Sequence, residues 1–236
     1  MNWLWVFARQ RLLRRAPPGP LRTLLAEPWP EAASDANAAA LLAVDFETTG
    51  LDPSSDALVS AAWVPIDSGR IELSSARHHV VRAPEGKLTG DSIRVHGVSH
   101  DRAARGVALA DVLEELLEAL RGRVLVAHHA PLDAAFLCEA CRAVLGGALA
   151  WPCIDTLKLL EVQGRRRQQP VRAAELRLSA ARARFALPSY PPHSALWDAV
   201  GAAELWLALA AAWSGTGKLP LGRVARVLPR GLRSWR

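Results

Sequence analysis

Two carboxylates, Asp45 and Glu47, stand two residues apart at the end of an apolar run, in the segment LLAVDFETTG. A strand alternates its side chains, so both acids share one face with α-carbons roughly 7 Å apart. Side by side they repel and hold their protons more tightly than isolated acids do. Left uncompensated in a half-buried place, the pair is destabilising. A divalent cation between them removes the conflict; a strand end emerging into solvent is the alternative for this pair taken alone.

Asp133 poses the same question on a helix. Phe136, Leu137, Ala140 and Val144 follow it at helical spacing, so Asp133 heads the apolar stripe of the segment Leu132–Leu145 and points towards a core. Its place in the first turn also suits the helix dipole, so capping competes with metal binding. Asp198 repeats the pattern, with Ala202, Leu205 and Leu209 on its own face. An acid on an apolar face without a partner is rare. His193 lies five residues before Asp198, just after Pro191-Pro192, at or before a helix start. Alone, such a histidine is ordinarily structural. Together, the four acids predict one convergent acidic site with a histidine beside it.

Such a site suits two hard cations, Mg²⁺ or Mn²⁺, about 3.5–4 Å apart and held by oxygen ligands. The chemistry implied is in-line phosphodiester hydrolysis, one metal generating hydroxide and the other steadying the leaving oxygen. A histidine exchanges protons near neutral pH, so His193 is the candidate to take the proton of the attacking water. Zinc chemistry on His and Cys ligands fits less well, because the cluster is nearly all oxygen.

The elements that must position these groups can be read from periodicity. Leu41–Phe46 reads as a buried central strand. Ala57–Ile66 and Arg70–Val81 read as two further strands joined by a hairpin at Asp67-Ser68-Gly69. A helix over Val107–Leu120, a strand over Val124–Ala127, a helix opened by Pro131 and a short strand within Ala148–Asp155 follow. Thr156–Trp213 reads as mostly helical, broken at Gly164–Gln169 and Pro188–Pro192. A meander followed by βα alternation argues for an α/β fold with a mixed sheet covered by helices.

The chain has 236 residues, half of them hydrophobic, enough for one well-buried domain with tails and too apolar for disorder. The net charge of +6 sits in the stretch from Ser214 to Arg236, with one Lys, five Arg and no acid. A basic tail suits a polyanion or simply a solvated end. Residues 1–40 read as a short basic amphipathic helix, about Trp3–Arg15, and an extended Pro/Ala-rich linker; 41–213 as the catalytic domain; 214–236 as a basic tail. The apolar N-terminal stretch is too short to span a membrane, and no membrane partner is expected. Three cysteines, Cys138, Cys141 and Cys153, suit buried thiols in a reducing cytoplasm. Arg165-Arg166-Arg167 between two helices is a candidate nucleic-acid contact or a solvated loop.

The segments LLAVDFETTGLD, VLVAHHAPLDAAFL and PPHSALWDAVGAAELW, with HGVSHD and CIDTLKL between them, resemble the motifs of the DEDDh exonucleases, the group of the bacterial proofreading epsilon subunit. The similarity spans roughly Leu41–Trp213. It implies a ribonuclease H-like mixed five-stranded sheet flanked by helices, with Asp45, Glu47, Asp133 and Asp198 as metal ligands and His193 as general base. Ser194 stands where the sister group carries Tyr, which marks the His subtype. The resemblance also implies contacts of Phe46, Thr48 and Thr49 with the terminal nucleotide, with His96, Val98 and Phe136 packing its base. His128 matches the family's usual histidine, and His129 stands where members often have Asn. The expected activity is 3′→5′ hydrolysis at single-stranded DNA 3′ ends in proofreading or repair, with a DNA polymerase as candidate partner. An RNA-trimming exonuclease and an inactive nucleic-acid- or polymerase-binding module are the alternatives. The intact set of four acids plus His193 argues against the inactive one.

Overall fold

Four successive residues, Leu41–Val44, are each at most 1% exposed. Because a strand alternates its faces, this burial means that both faces of the central strand are covered. The computed structural model describes residues 3–229 apart from 83–87, 91, 92, 95, 96, 170 and 216. Its central strand β1 (Leu41–Thr48) pairs antiparallel with β2 (Leu58–Asp67) and parallel with β5 (Val124–Ala127). β6 (Trp151–Asp155) continues parallel to β5, and β7 (Ala225–Leu228) closes that side antiparallel to β6. The outer edge of β2 holds β3 (Arg70–Ile71) and β4 (Arg77–Val80). The sheet order is therefore β3-β2-β1-β5-β6-β7, with β4 on β2.

This mixed sheet flanked by helices is the expected ribonuclease H-like class, with seven strands instead of five. One extra strand comes from the expected 70–81 strand, which the 3₁₀ turn Leu73–Ser75 divides in two. The other, β7, comes from the stretch expected to be a tail. The hairpin at Asp67-Ser68-Gly69 is present, and both Ser68 and Gly69 take the positive φ that a tight two-residue turn requires.

Helices α1 (Trp3–Leu13) and α2 (Pro20–Ala26) precede the sheet. The apolar and basic residues of α1 are spread around its axis, not sorted onto the two faces expected of an amphipathic helix. The stretch expected to be an extended linker contains α2, because Pro20 is tolerated in a first turn and Leu21, Leu24 and Leu25 form a buried i, i+3, i+4 stripe. Arg9 donates to the carbonyls of Leu25, Ala26 and Glu27, the unsatisfied acceptors at the end of α2.

After β4 come α3 (His100–Ala104), α4 (Leu109–Ala119), α5 (Ala130–Leu145, between β5 and β6), α6 (Thr156–Arg166), α7 (Leu178–Arg184) and α8 (Ala195–Ser214). A short α9 (Leu221–Val224) leads into β7. α8 is apolar and long enough to cross a membrane by composition, yet it packs on β1, β2 and β5 as a core helix. Ala195 and Ala199 lie against Ala62 of β2, and these small side chains let the helix approach the sheet closely. All three cysteines are buried free thiols.

Candidate active site

β1 and β5 stay paired only from Leu41 to Ala43, whereas β1 remains paired to β2 as far as Thr48. The second half of β1 therefore has an open edge, at the carboxyl end of a strand that runs parallel to one neighbour and antiparallel to the other. Ligands of open α/β sheets bind at such crevices. Asp45 and Glu47 stand on this half, which is half-buried where the first half is fully buried. α5 begins at the same opening. His129 caps it with φ 81°, a left-handed conformation uncommon outside glycine, and Pro131 occupies its first turn. Asp133 thereby enters the opening, 8% exposed, and accepts from the Phe46 N–H at the free edge of β1. Asp198 arrives on the first turn of α8, and its Oδ2 accepts from the backbone N–H of His193 at 3.0 Å.

Oxygens of Asp45, Glu47 and Asp198 lie within 4.8 Å of one another. Asp133 adds its charge to Asp45 and feels that of Glu47. Burial, then the charges of Asp133, Asp198 and Glu47, hold the Asp45 carboxyl well above the usual range. Burial and Asp198 push Glu47 up to about 7. Burial also raises Asp133 and Asp198, although backbone N–H groups oppose it at both. Among the described residues no Lys or Arg forms an ion pair with any of the four. A set of hard oxygen donors, crowded and with no ion-paired cation among them, fits a divalent cation.

His193 is exposed and takes φ 59°, a conformation that costs about 1–3 kcal/mol in a non-glycine residue. The Asp198 bond holds it there. Its side chain lines a cavity of 610 Å³ together with Asp45, Asp198 and His128. The acids and histidine singled out in the sequence are thus brought to one opening.

The expected nucleotide contacts are more dispersed. Thr48 donates to the Gly50 carbonyl, and Thr49 donates to Asp56 while accepting from the Ala57 N–H, so both hydroxyls hold the β1–β2 loop. A Cβ on Gly50 would overlap the Asp56 carboxylate that organises this loop. Phe46 is half-buried against the main core, and Phe136 is 3% exposed within it. Val98 is 4% exposed and packs with Val59 and Ala103 in a separate small cluster. Neither Val98 nor Phe136 lines the cavity that holds His193. His96 lies outside the described residues. His128 has both ring nitrogens engaged, Nε2 with the Leu176 carbonyl at 2.7 Å and Nδ1 with the Thr156 hydroxyl at 2.9 Å. Burial lowers its pKa to about 4, so the ring is neutral, with Nε2–H donating and Nδ1 accepting from Thr156.

Two groups were not anticipated. Asp155 ends β6, accepts from the N–H groups of His129 and Leu157, and adds its charge to Asp133. Its signal resembled that of Asp45, an acid closing an apolar strand. Arg182, only 4% exposed, bonds the carbonyls of Gly201 and Pro188 and pairs with Glu204 at 2.6 Å. Tyr190 lies under that guanidinium and donates to Glu204. These residues fix the loop that leads to His193.

Fold and site together define the ribonuclease H-like exonuclease class. The chain belongs to the RNase_T exonuclease family, whose profile, described as Exonuclease, matches residues 42–206. An epsilon-like DNA polymerase III protein of Rhodobacter capsulatus is 32% identical over 182 residues, 76% of this chain and 25% of that protein. A PolC-type DNA polymerase III of Thermotoga petrophila is 32% identical over 121 residues, 51% of this chain and 9% of that one. The chain thus spans a quarter or less of the length of these relatives. Among solved structures, the nuclease domain of 3′hExo, a DEDDh family member bound to rAMP, is similar with a TM-score of 0.62 at 18% identity, covering 84% of this chain and all of that one. E. coli exonuclease I in complex with a 5cy-dT13 oligonucleotide gives 0.63 at 12% identity, covering 78% and 42%.

Proposed function

We propose that this protein is a 3′→5′ exonuclease of the DEDDh type that removes nucleotides from single-stranded DNA ends in the cytoplasm. The observation that carries the proposal is the crowding of Asp45, Glu47 and Asp198 oxygens without an ion-paired cation, beside a cavity that Asp45 and Asp198 share with His193. Asp45, Glu47, Asp133 and Asp198 would hold two Mg²⁺ or Mn²⁺ ions, which supply Lewis acidity and neutralise charge on the phosphate. The imidazole of His193 takes a proton from the water that attacks phosphorus; the P–O3′ bond breaks, the departing 3′-oxygen takes up a proton from solvent, and His193 returns its own to solvent. Asp198 has a second duty, because its bond to the His193 N–H orients the base towards the opening. Thr48 and Thr49 keep the β1–β2 loop closed up, which presents the backbone of Phe46–Thr49 to a terminal nucleotide. DNA is preferred as substrate, and a polymerase as partner, because the relatives with the higher identity are named as DNA polymerase III proteins. An RNA substrate is the second reading, favoured by the likeness to a nuclease domain bound to rAMP.

The test is incubation with 3′- and 5′-labelled single-stranded DNA and RNA in Mg²⁺, Mn²⁺ or EDTA. Mononucleotides should leave from the 3′ end of DNA, and EDTA or Asp45→Ala should abolish their release. Full activity in EDTA, or unchanged activity in Asp198→Ala, overturns the mechanism. His193→Ala should lower turnover by about 10²–10⁴-fold while leaving oligonucleotide binding intact; collapse of binding instead makes the histidine structural.

A further inference from the structure

The two cationic stretches that the catalytic chemistry does not use meet in one place. Arg166, from the Arg165–Arg167 run, lies with its guanidinium 4.4 Å from the ring centroid of Trp213 at the end of α8. Arg223 and Arg226, from the basic C-terminal stretch, face the same cleft of 570 Å³, and Lys158 of α6 completes its rim. Residues far apart in sequence converge here because β7 adds itself to β6 and carries α9 with it. Trp213 and everything after it lie beyond the part matched by the family profile.

Charge in this cleft is unbalanced. The acids that line it are Asp155 and Glu161. Asp155 is occupied by the N–H groups of His129 and Leu157, and Glu161 pairs with Lys158 at 2.7 Å and Arg165 at 3.9 Å. Arg166, Arg223 and Arg226 form no ion pair among the described residues, and all three are exposed. Below this rim the wall is apolar and aromatic, with Trp213, Val162, Val224 and Leu228. Cations above an apolar, aromatic floor suit a strand that offers phosphates and bases together.

The cleft also adjoins the catalytic opening. His129 and Asp155 stand on its wall, while His128, the preceding residue, lines the cavity of Asp45 and His193. The cleft and the catalytic opening are therefore neighbours on either side of the His128–His129 backbone.

We propose that this cleft is a second nucleic-acid site, which grips the phosphodiester backbone of a single strand away from the end being cut. The inference rests on the nuclease reading for its purpose but not for its measurement. Binding of a 5′-labelled 20-mer DNA is followed by fluorescence anisotropy in EDTA, where no cleavage is needed. The charge reversal Arg223→Glu with Arg226→Glu should weaken binding at least tenfold at low salt. It should also reduce the slope of log affinity against log salt by about 1–2, as expected when one or two phosphate contacts are lost. Arg166→Gln, a milder change, should act in the same direction. Hydrolysis of the p-nitrophenyl ester of thymidine 5′-monophosphate, which fills only the catalytic opening, should be unchanged in both variants. Equal affinity and an equal salt slope in wild type and variants overturn the site. So does an equal loss on the p-nitrophenyl ester, which would mean that the substitutions act through Asp155. A wild type that binds the 20-mer with the expected slope but cleaves nothing refutes the exonuclease proposal and leaves the cleft standing.

Discussion

Asp198 and Glu204 sit on the same helix, α8, and both are partly buried, yet they have opposite surroundings. Glu204 has a cation and a donor built for it, the Arg182 guanidinium and the Tyr190 hydroxyl. Asp198 faces two further carboxylates and forms no ion pair; backbone N–H groups at its own helix start and, more weakly, the charge of Arg182 are what it receives. A buried charge whose partner is supplied by the fold stabilises an arrangement. A buried charge left without one is unstable until something arrives from outside. The first kind of site positions His193 and the second is where the reaction runs. Their proximity on one helix ties the two together.

The largest effect should separate them. Asp45→Asn removes a site charge without changing shape, so activity should fall by about 10³-fold or more. In EDTA the same variant should melt at a higher temperature than wild type, because repulsion from Asp133, Asp198 and Glu47 is relieved. A lower melting temperature would mean that Asp45 is a structural acid like Glu204. Arg182→Met should do the reverse. It leaves Glu204 and two carbonyls without their partner, at a cost of about 3–5 kcal/mol. For a chain of this size that corresponds to a fall in Tm of roughly 6–20 °C. Turnover should drop with it, since the Pro188 carbonyl that anchors the His193 loop is released. A variant that keeps its Tm would show the cluster to be solvated and the comparison empty.

The contrast also has a pH signature. Glu47 titrates at about 7 when folded against an ordinary 4.5, and Asp45, Asp133 and Asp198 are raised as well. Groups raised in the folded state bind more protons there than when unfolded. Their stabilising contribution is complete below the unfolded values and is lost as pH rises through the folded ones. His128, lowered to about 4, and His78, also lowered, act oppositely below 6.5. The clean window is therefore from about pH 6.5 to 8.5, where the Tm measured in EDTA should fall with pH. Mg²⁺ should restore most at the alkaline end. A flat profile in EDTA would mean that the acids are already compensated.

Much of the site was legible because a charge on an apolar face breaks a one-dimensional pattern. Asp133 interrupts the stripe of Phe136, Leu137 and Ala140, and Asp198 that of Ala202, Leu205 and Leu209. Asp155 broke a pattern too, but its meaning depends on β5–β6 pairing, which brings it to Asp133 and His129. Arg182 broke none. It is one of two arginines in LSAARARF, and only packing against α8 makes it the buried one. Gly201 admits it, since a Cβ there would crowd the guanidinium. The ends were misjudged for a related reason. Proline-rich and arginine-rich composition suggests solvated chain, but Leu21, Leu24 and Leu25 were free to cover the core, and Ala225–Leu228 found an open edge of β6.

The finest test of the positioning cluster is Tyr190→Phe. The substitution deletes one hydroxyl and its 3.0 Å bond to Glu204 while keeping the ring. The ring's other contacts, the Arg182 guanidinium at 4.5 Å and the stacked Trp197 at 4.8 Å, need no hydroxyl. Loss of one such bond costs about 0.5–1.5 kcal/mol. Glu204 keeps Arg182, so its charge is never abandoned, and the melting temperature should move by only a few degrees. If the cluster does hold the His193 loop, kcat should fall a few-fold while KM stays level, because the base is misplaced and the acids are not. A change in KM with kcat preserved would instead assign Tyr190 to substrate contact, since its ring also lines the catalytic cavity. The hydroxyl therefore distinguishes a wall that shapes the base from a wall that touches the strand.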